Sequence, residues 1–443
     1  MSLSQQVHGP VTFLPDNACS RRAGVADPQI PVDQEGRVMK RTAMAVAIAA
    51  VTAAGAHAGT VTTDGADIVI KTKGGFEAKT ADGTASFKIG GRMQLDYNDY
   101  DGVINATSIG DDGSDIFFRR ARIELKGHYH DWAYLMSYNL TDSGSIDQLN
   151  TTYTGWGDMA QLTFGQQKEN FGLEDTGSSK WITAMERSLP ANAFDTGNNV
   201  GVKLHGANDF VTYSAGVFKQ DLDNEHELDT ATTARLVVRP MYGDDGLIHL
   251  GVGYTTRESD GSGFDAIDSR LGVRGGDDGK ATKVEAEYTG GALADEMEVW
   301  NAELAASFGP VHAMAEYFDG ELSGMGGAPD LDGEGYYVQL GYILTGESRS
   351  YKTGIAAFDK VKPSGPGGAW EVFARYDELD LGGNNHPLID LAGEAGNTLT
   401  LGVNWYANEL VKIAFNYVHA ETDEEIGGED DGDAIVGRIQ FAF

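Results

Sequence analysis

Residues 86–98 read Ser-Phe-Lys-Ile-Gly-Gly-Arg-Met-Gln-Leu-Asp-Tyr-Asn. Taken by twos, one set is Phe87, Ile89, Gly91, Met93, Leu95 and Tyr97, and the other is Lys88, Gly90, Arg92, Gln94, Asp96 and Asn98. Side chains on a strand alternate between two faces, so this stretch predicts a strand with one apolar and one polar side. The same period recurs at Trp132/Tyr134/Met136/Tyr138/Leu140, Leu399/Leu401/Val403/Trp405, Val411/Ile413/Phe415/Tyr417 and Ile435/Gly437/Ile439/Phe441/Phe443. A soluble sandwich shows such a pattern with the apolar face inward. Three features point to the inverted arrangement, apolar to lipid and polar to water. The strands are about ten residues long, as a tilted membrane strand must be. Tyr97, Trp132, Trp405 and Tyr406 sit near strand ends, where interfacial girdles lie. The chain stops on an aromatic inside a strand, Phe441-Ala442-Phe443.

Strands are expected near 86–98, 116–128, 131–141, 147–155, 158–168, 198–206, 209–218, 233–240, 246–257, 297–308, 310–318, 334–346, 368–378, 396–407, 409–420 and 432–443. That makes sixteen, an even number that returns both termini to one side. The fold class is all-β: a 16-stranded antiparallel transmembrane β-barrel whose lumen holds water rather than a packed core. Tight joints at His130, Gly157, Ala207-Asn208, Gly309-Pro310 and Asn408 fall at one end, and the long segments at the other. The exceptions are 143–146, short at the long end, and 347–367, long at the short end. Residues 281–289 look strand-like but are assigned to a loop, because counting them breaks the alternation.

Composition agrees. The 443 residues include 33 Lys+Arg, 67 Asp+Glu, 59 Gly, 18 Tyr, 18 Phe, 6 Trp and one Cys, with a formal net charge of −34. Such an acidic balance argues against a nucleic-acid partner. A 41% hydrophobic content is too low for a helical membrane bundle, and the aromatics are too frequent for a disordered acidic chain.

Residues 1–38 show no apolar period and hold the one cysteine, Cys19; they are read as a non-native upstream extension arising from a start-site artefact. Met39-Lys40-Arg41, the apolar run Ala43 to Ala54 and Ala56-His57-Ala58 form the three parts of a secretory signal, so 39–58 is read as a cleavable signal peptide. Cleavage after Ala58 takes away five of the 33 basic residues (Arg21, Arg22, Arg37, Lys40, Arg41) and four of the 67 acidic ones (Asp16, Asp27, Asp33, Glu35), leaving 28 and 63 and a net charge of −35. Residues 59–443 then form the barrel, with no thiol for a disulfide or a nucleophile.

Over essentially all of 59–443 the chain resembles the phosphate-selective porin O and P family of outer-membrane channels. The stretches that carry the resemblance are GTVTTDGADIVIKTKGG (59–75), FKIGGRMQLDY (87–97), FRRARIEL (118–125), NFGLEDTGSSKWITAMER (170–187), YYVQLGYILTGESRSYK (336–352), GAWEVFARYD (368–377), GVNWYANELVKIAFNYVHA (402–420) and GRIQFAF (437–443). The resemblance implies a homotrimer in the bacterial outer membrane, each pore narrowed by infolded constriction loops and passing small anions, phosphate or related oxyanions. It implies no cofactor. Carried over residue by residue, the anion pathway falls at Lys71, Lys73, Lys88, Arg92, Arg119, Arg120, Asp147, Ser178, Ser179 and Arg187.

The residues support part of this independently. A partly dehydrated phosphate needs donors that replace its water, and the forked, permanently charged guanidinium supplies them. Alternation points Lys88 and Arg92 to the lumen, and Arg122 shares the face of Arg120. The long segment 169–197 is the natural infolding loop, and its Ser178, Ser179, Lys180 and Arg187 set hydroxyls beside cations. There are departures. Asp175 stands where the family has a lysine, further family lysines correspond to Gly83, Ala133 and His419, and an expected run of arginines is reduced to Arg270 and Arg274.

Other constellations are weaker. His128-Tyr129-His130 lies at a tight joint and reads as a structural turn, and no metal site is expected. The acidic runs 111–115 and 429–433 resemble calcium loops but lack the full ligand spacing; acidic outer loops bridged by divalent ions to outer-membrane lipid and lipopolysaccharide explain them equally well. No GxSxG, HExxH or P-loop occurs, so the expectation is a channel and not an enzyme. The alternatives are a general or cation-tolerant pore, with Asp175 and Asp147 governing the constriction, or an acidic calcium-binding surface protein with a blocked lumen.

Overall fold

The computed structural model describes residues 59–62, 67–72, 75–105, 113–141, 144–219, 229–259, 263–274, 283–382, 386–393, 395–426 and 429–443. The upstream extension and the signal segment lie outside them, as does Lys73.

Three short strands come first, β1 (Gly59–Thr62), β2 (Asp67–Lys71) and β3 (Phe76–Thr80), as an antiparallel meander. The barrel wall begins with β4 (Ala85–Tyr100) and β5 (Gly113–Tyr129), followed by β6 (Trp132–Asn139), β7 (Ser145–Tyr153), β8 (Gln161–Lys168) and β9 (Asn198–Ala207). It continues through β10 (Val211–Lys219), β11 (Thr230–Gly243) and β12 (Gly246–Glu258). Loop strands β13 (Ala266–Arg270) and β14 (Lys283–Tyr288) precede wall strands β15 (Ala294–Phe308), β16 (Val311–Gly324) and β17 (Leu331–Ile343). The hairpin β18 (Arg349–Lys352) and β19 (Ala357–Val361) leads to β20 (Ala369–Asp380). Loop strand β21 (Ile389–Ala392) and wall strands β22 (Ala395–Tyr406), β23 (Val411–Ile426) and β24 (Glu429–Ala442) complete the chain.

Each of the sixteen wall strands pairs antiparallel with its neighbours, and β24 closes on β4 in a ladder from Ala434↔Tyr100 to Ala442↔Arg92. Closure removes the free edges that no lipid could satisfy. All sixteen expected strands are present, with ends shifted by a few residues. Residues 283–288 do form a strand, but outside the wall: β14 pairs with β13 and β21 in a separate three-stranded sheet built from two long loops.

Strand β17 shows the inverted amphipathicity cleanly. Outward Val338 and Leu340 are 53% and 58% exposed, while inward Tyr337 and Gln339 are 0% and 1% exposed. Along its outward face Tyr336 and Tyr342 flank Val338 and Leu340, so an aliphatic band lies between two aromatic levels. Trp132 and Trp405 take the expected girdle positions, Trp405 stacking on Trp370 at 5.6 Å between centroids. Tyr406 does not. It is one step out of phase with Trp405, points inward and donates to Glu371 at 2.7 Å.

Two insertions fill much of the lumen. Residues 169–197 fold inside and carry two short helices, α1 (Leu173–Thr176) and α2 (Leu189–Ala193). A dry cluster including Phe171, Leu189, Phe194, Leu271, Val284, Phe318 and Leu379 packs this loop against β13, β14 and the wall from β16 to β20. At the other end, the long short-side connection 347–367 is the β18–β19 hairpin. Its tip reaches the opposite wall, where Arg235 donates to the carbonyls of Ile355 (2.8 Å) and Ala356 (2.9 Å) and Thr212 donates to that of Thr353 (2.6 Å).

Because Val338 sits midway in the lipid-facing band, Val338→Arg is expected to lower unfolding free energy by about 2–4 kcal/mol. Urea unfolding in lipid vesicles, followed by tryptophan fluorescence, measures it.

Candidate functional site

The infolded loop leaves open a cavity of about 600 Å³ along the wall from β4 to β9. Six arginines (92, 119, 120, 122, 187, 274) and five lysines (126, 168, 180, 203, 352) line it against five carboxylates (Glu124, Asp147, Asp175, Glu186, Asp195). A chain of net charge −34 therefore encloses a cationic passage. In a confined, low-dielectric lumen this local arrangement governs the field more than net charge does.

Strand β4 sends Arg92, Gln94, Asp96 and Asn98 inward, as alternation requires. Strand β5 departs from strict alternation, and the departure builds the site. Gln94 pairs with Arg120 and Leu95 with Phe118, so Arg119 is the extra residue of a β-bulge. Without the bulge Arg119 and Arg120 would face opposite sides of the wall. With it both turn inward, Arg119 to Glu186 and Arg120 to Gln94.

The cations have distinct partners. Arg119 grips Glu186 with two parallel bonds, Nε to Oε1 at 2.9 Å and Nη2 to Oε2 at 2.8 Å. Arg122 meets Asp147 at 2.7 Å, and Asp147 also accepts from Ser137 and Asn198. Arg92 donates to the Ser179 hydroxyl at 2.6 Å and lies 4.0 Å from Glu124. Arg120 Nη1 reaches only the Gln94 side-chain carbonyl, at 3.3 Å. Among the described residues Arg120, Lys203 and Arg274 line the cavity with no carboxylate within 4.0 Å. Lys180 lies 3.0 Å from Glu124, and burial, reinforced by nearby Arg92 and Lys126, pushes its ammonium down to about 8 against the opposing pull of Glu124.

The expected residues divide. Arg92, Arg119, Arg120, Asp147, Ser178, Ser179, Lys180, Arg187 and Arg274 come together on the cavity. Lys88 shares the inward face of β4 and Lys71 is exposed on β2, but neither lines the cavity. Arg270 lies on β13 at a small side pocket with Glu186 and Arg274. Asp175 does not stand bare in the passage: it is 4% exposed and pairs with Lys168 at 3.1 Å and Arg187 at 2.9 Å. It thereby draws Arg187, also paired with Asp195 at 3.5 Å, into a local charge network. His128 bonds Ser86 and the carbonyl of Gly83 at the joint, and His130 takes a positive φ of 49° in the turn.

Residues not anticipated hold the infolded loop in place. Arg375 donates to the carbonyl of Glu186, and Arg438 to that of Met185 and to Asp96 and Glu186. Lys412 and Asn404 donate to Thr183, while Asp377 and Glu316 accept from the backbone of Leu189 and of Leu173 and Glu174. Arg349, on the infolded hairpin, donates to Thr183 Oγ1 and the carbonyl of Trp181. The only sequence signal for it was the unexplained length of 347–367.

The family described as phosphate-selective porin O and P matches residues 87–443. Porin O of Pseudomonas aeruginosa is 41% identical over 433 residues, which cover 90% of this chain and 98% of that protein. Among solved structures, an anion-selective porin from Comamonas acidovorans superposes with a TM-score of 0.53 at 10% identity, over 81% of this chain and all of that one. The outer-membrane protein OmpT of Vibrio cholerae, in a trimer form, gives 0.51 at 12% identity over 81% of this chain and 100% of that one. At such identities the likeness is one of fold. Matched along most of its length by the family and by a close sequence relative, and closed into a sixteen-stranded barrel with a polar passage, the chain belongs to the phosphate-selective porin O and P family and is an outer-membrane channel, not an enzyme.

Proposed function

We propose that the channel passes small oxyanions, phosphate foremost, by passive diffusion through the constriction formed by Arg92, Arg119, Arg120, Arg122, Ser178, Ser179, Lys180, Arg187 and Arg274. The observation that carries this reading is the excess of cations over carboxylates on the passage, with Arg120 and Arg274 having no acid partner among the described residues. A guanidinium already gripped by a carboxylate has little left for a passing anion. One held only by a neutral amide can exchange water for phosphate oxygens. Cations of graded availability along one wall give several moderate sites, which permit release as well as capture. The family description and the 41% identical Porin O support phosphate as the anion.

The homotrimer is part of the same proposal, supported by the family resemblance and by a structural neighbour described in a trimer form. Lipid contacts belong to it too. Above the aromatic level, outward Glu298 and Glu321 lie directly opposite each other, as do Asp319 and Glu334, and Glu321 and Asp332. Like charges so placed repel unless cations intervene. Divalent ions shared with lipopolysaccharide phosphates would supply them.

A general pore without phosphate preference is the second reading, favoured by the carboxylate pairing of Arg119, Arg122 and Arg187. The deciding measurement is chloride conductance of the purified protein in a planar bilayer, titrated with phosphate at neutral pH. Saturable block at low phosphate is expected; a current indifferent to phosphate selects the general pore. In the same assay Arg120→Gln is expected to raise the half-blocking concentration about tenfold, one charge-assisted bond's worth.

A second expectation concerns pH. With its ammonium titrating near 8, Lys180 is charged below that pH and neutral above it. Anion selectivity, read as the reversal potential in a potassium chloride gradient, should fall as pH rises from 7 to 9. Lys180→Gln should flatten that fall; an unchanged slope in the variant would assign the titration to another group.

A further inference from the structure

The carboxylate of Glu186 sits among arginines as a free anion would. Its Oε1 accepts from Arg119 Nε at 2.9 Å and from Arg438 Nη2 at 2.7 Å, and its Oε2 from Arg119 Nη2 at 2.8 Å. Arg120, the next residue on β5, faces the same cavity. The seating of the infolded loop does not depend on this carboxylate. The main-chain carbonyl of Glu186 accepts from Arg375 at 2.8 Å and that of Met185 from Arg438 at 2.6 Å, while the Met185 N–H donates to Asn416 at 2.9 Å. Arg438 in turn is gripped by Asp96 through two bonds of 2.7 and 2.6 Å. Arg119 is different: among the described residues its side chain bonds no group but Glu186.

Carboxylate and phosphate present the same pair of oxygens to a guanidinium fork, so they compete for it. Were Arg119 bare, it and Arg120 would form a cradle of two forks, which a phosphate with four oxygens engages together. A site that deep favours capture over release, and conduction needs both. Glu186 fills half of the cradle. Being attached to the loop, it is a ligand at high local concentration and returns whenever the passing anion leaves.

An exchange also needs a place for the displaced carboxylate, because a charge left uncompensated in the lumen is costly. The structure provides one. Glu186 borders both the main cavity and a side pocket of about 10 Å³, and Arg270 and Arg274 line that pocket. Neither arginine has an acid partner among the described residues, and Arg270 Nε is buried without an acceptor.

We propose, on the oxyanion reading above, that Glu186 is a tethered competitor for the permeating anion. An incoming phosphate takes Arg119 Nε and Nη2 together with Arg120, and Glu186 turns on its Arg438 bond toward Arg270 and Arg274. Its return to Arg119 releases the phosphate. Neither arrangement leaves the carboxylate without a guanidinium, and Glu186 sets how long the anion stays.

The test uses the purified channel in planar bilayers, reading for each variant the chloride conductance and the phosphate concentration that halves it. Glu186→Gln frees Arg119 and is expected to lower the half-blocking concentration about tenfold. Glu186→Asp keeps the charge but, one methylene shorter, loosens the grip on Arg119, and should lower it about threefold; an effect of charge alone leaves this variant at the parent value. Arg270→Gln, outside the main cavity, takes away part of the landing place. It should raise the half-blocking concentration about threefold in the parent and leave it unchanged in the Glu186→Gln background, where no carboxylate has to move. A purely structural role for Glu186 predicts the opposite sign, since a loosened loop binds phosphate more weakly. Should Glu186→Gln not fold as a heat-modifiable barrel, Glu186→Asp carries the comparison. An unchanged or raised half-blocking concentration in Glu186→Gln or Glu186→Asp, or an equal effect of Arg270→Gln in both backgrounds, overturns the tethered competitor and leaves the oxyanion channel standing. A parent channel that phosphate does not block removes both.

Discussion

Carbonyl oxygens brought into the lumen by the infolded loop must find donors, and the barrel wall supplies many of them. That constraint organises the molecule. A sixteen-stranded barrel is too wide for its inward side chains to fill, so narrowing requires irregular backbone inside the membrane, which is tolerated only where its polar groups are satisfied or wet. An unsatisfied buried backbone group costs about 1–3 kcal/mol, and the loop spans nearly thirty residues, so the wall is dense with donors: Arg375, Arg438, Lys412, Asn404, Gln94 and Gln440. Many cations of the lumen therefore hold the backbone rather than the permeating ion. The residues left over for ions are those on the β4–β9 side, where wall and loop side chains face each other across the cavity.

The same division explains how so acidic a chain builds a cationic passage. Its carboxylates lie largely outward, on the β15–β17 rim, or inward as partners of arginines, as with Asp96 and Arg438 or Glu303 and Arg235. Composition averages over these places, whereas the passage samples one of them. The apolar cluster packs the infolded loop against β16–β20, so the cavity lies off-centre, between that loop and the charged β4–β9 wall.

Much of this was legible in the sequence, and for a physical reason. Side-chain alternation with lipid on one face and water on the other leaves a period of two that no tertiary contact needs to correct, as β17 shows over thirteen residues. Arg92 and Asp96 could be placed inward from that period alone. What alternation could not show is where it breaks. The bulge at Arg119 changes which face a side chain takes, and nothing in FRRARIEL marks which arginine is the extra one. Pairings such as Arg187 with Asp175, or Arg349 with Thr183, join segments whose meeting depends on how far a loop folds inward. The position of Tyr406 was misread because one residue of phase separates a membrane girdle from a lumen contact.

The bonds that hold the infolded loop to the wall bear on assembly. Residues 179–187 bond to side chains on β4, β20, β22 and β24, so their partners lie as much as 260 positions further along the chain. No partly built sheet offers that set at once. Until β24 meets β4, the donors Gln94, Gln440 and Arg438 are not gathered around the loop, and the hairpin carrying Arg349 has no fully seated loop to grip. Closure of the wall and formation of the pore are thereby bound into one late, cooperative event, in which contacts of very high sequence separation form together. A chain stalled one strand short would be an open sheet without a constriction, so the route to the native state passes through no narrow-pored intermediate.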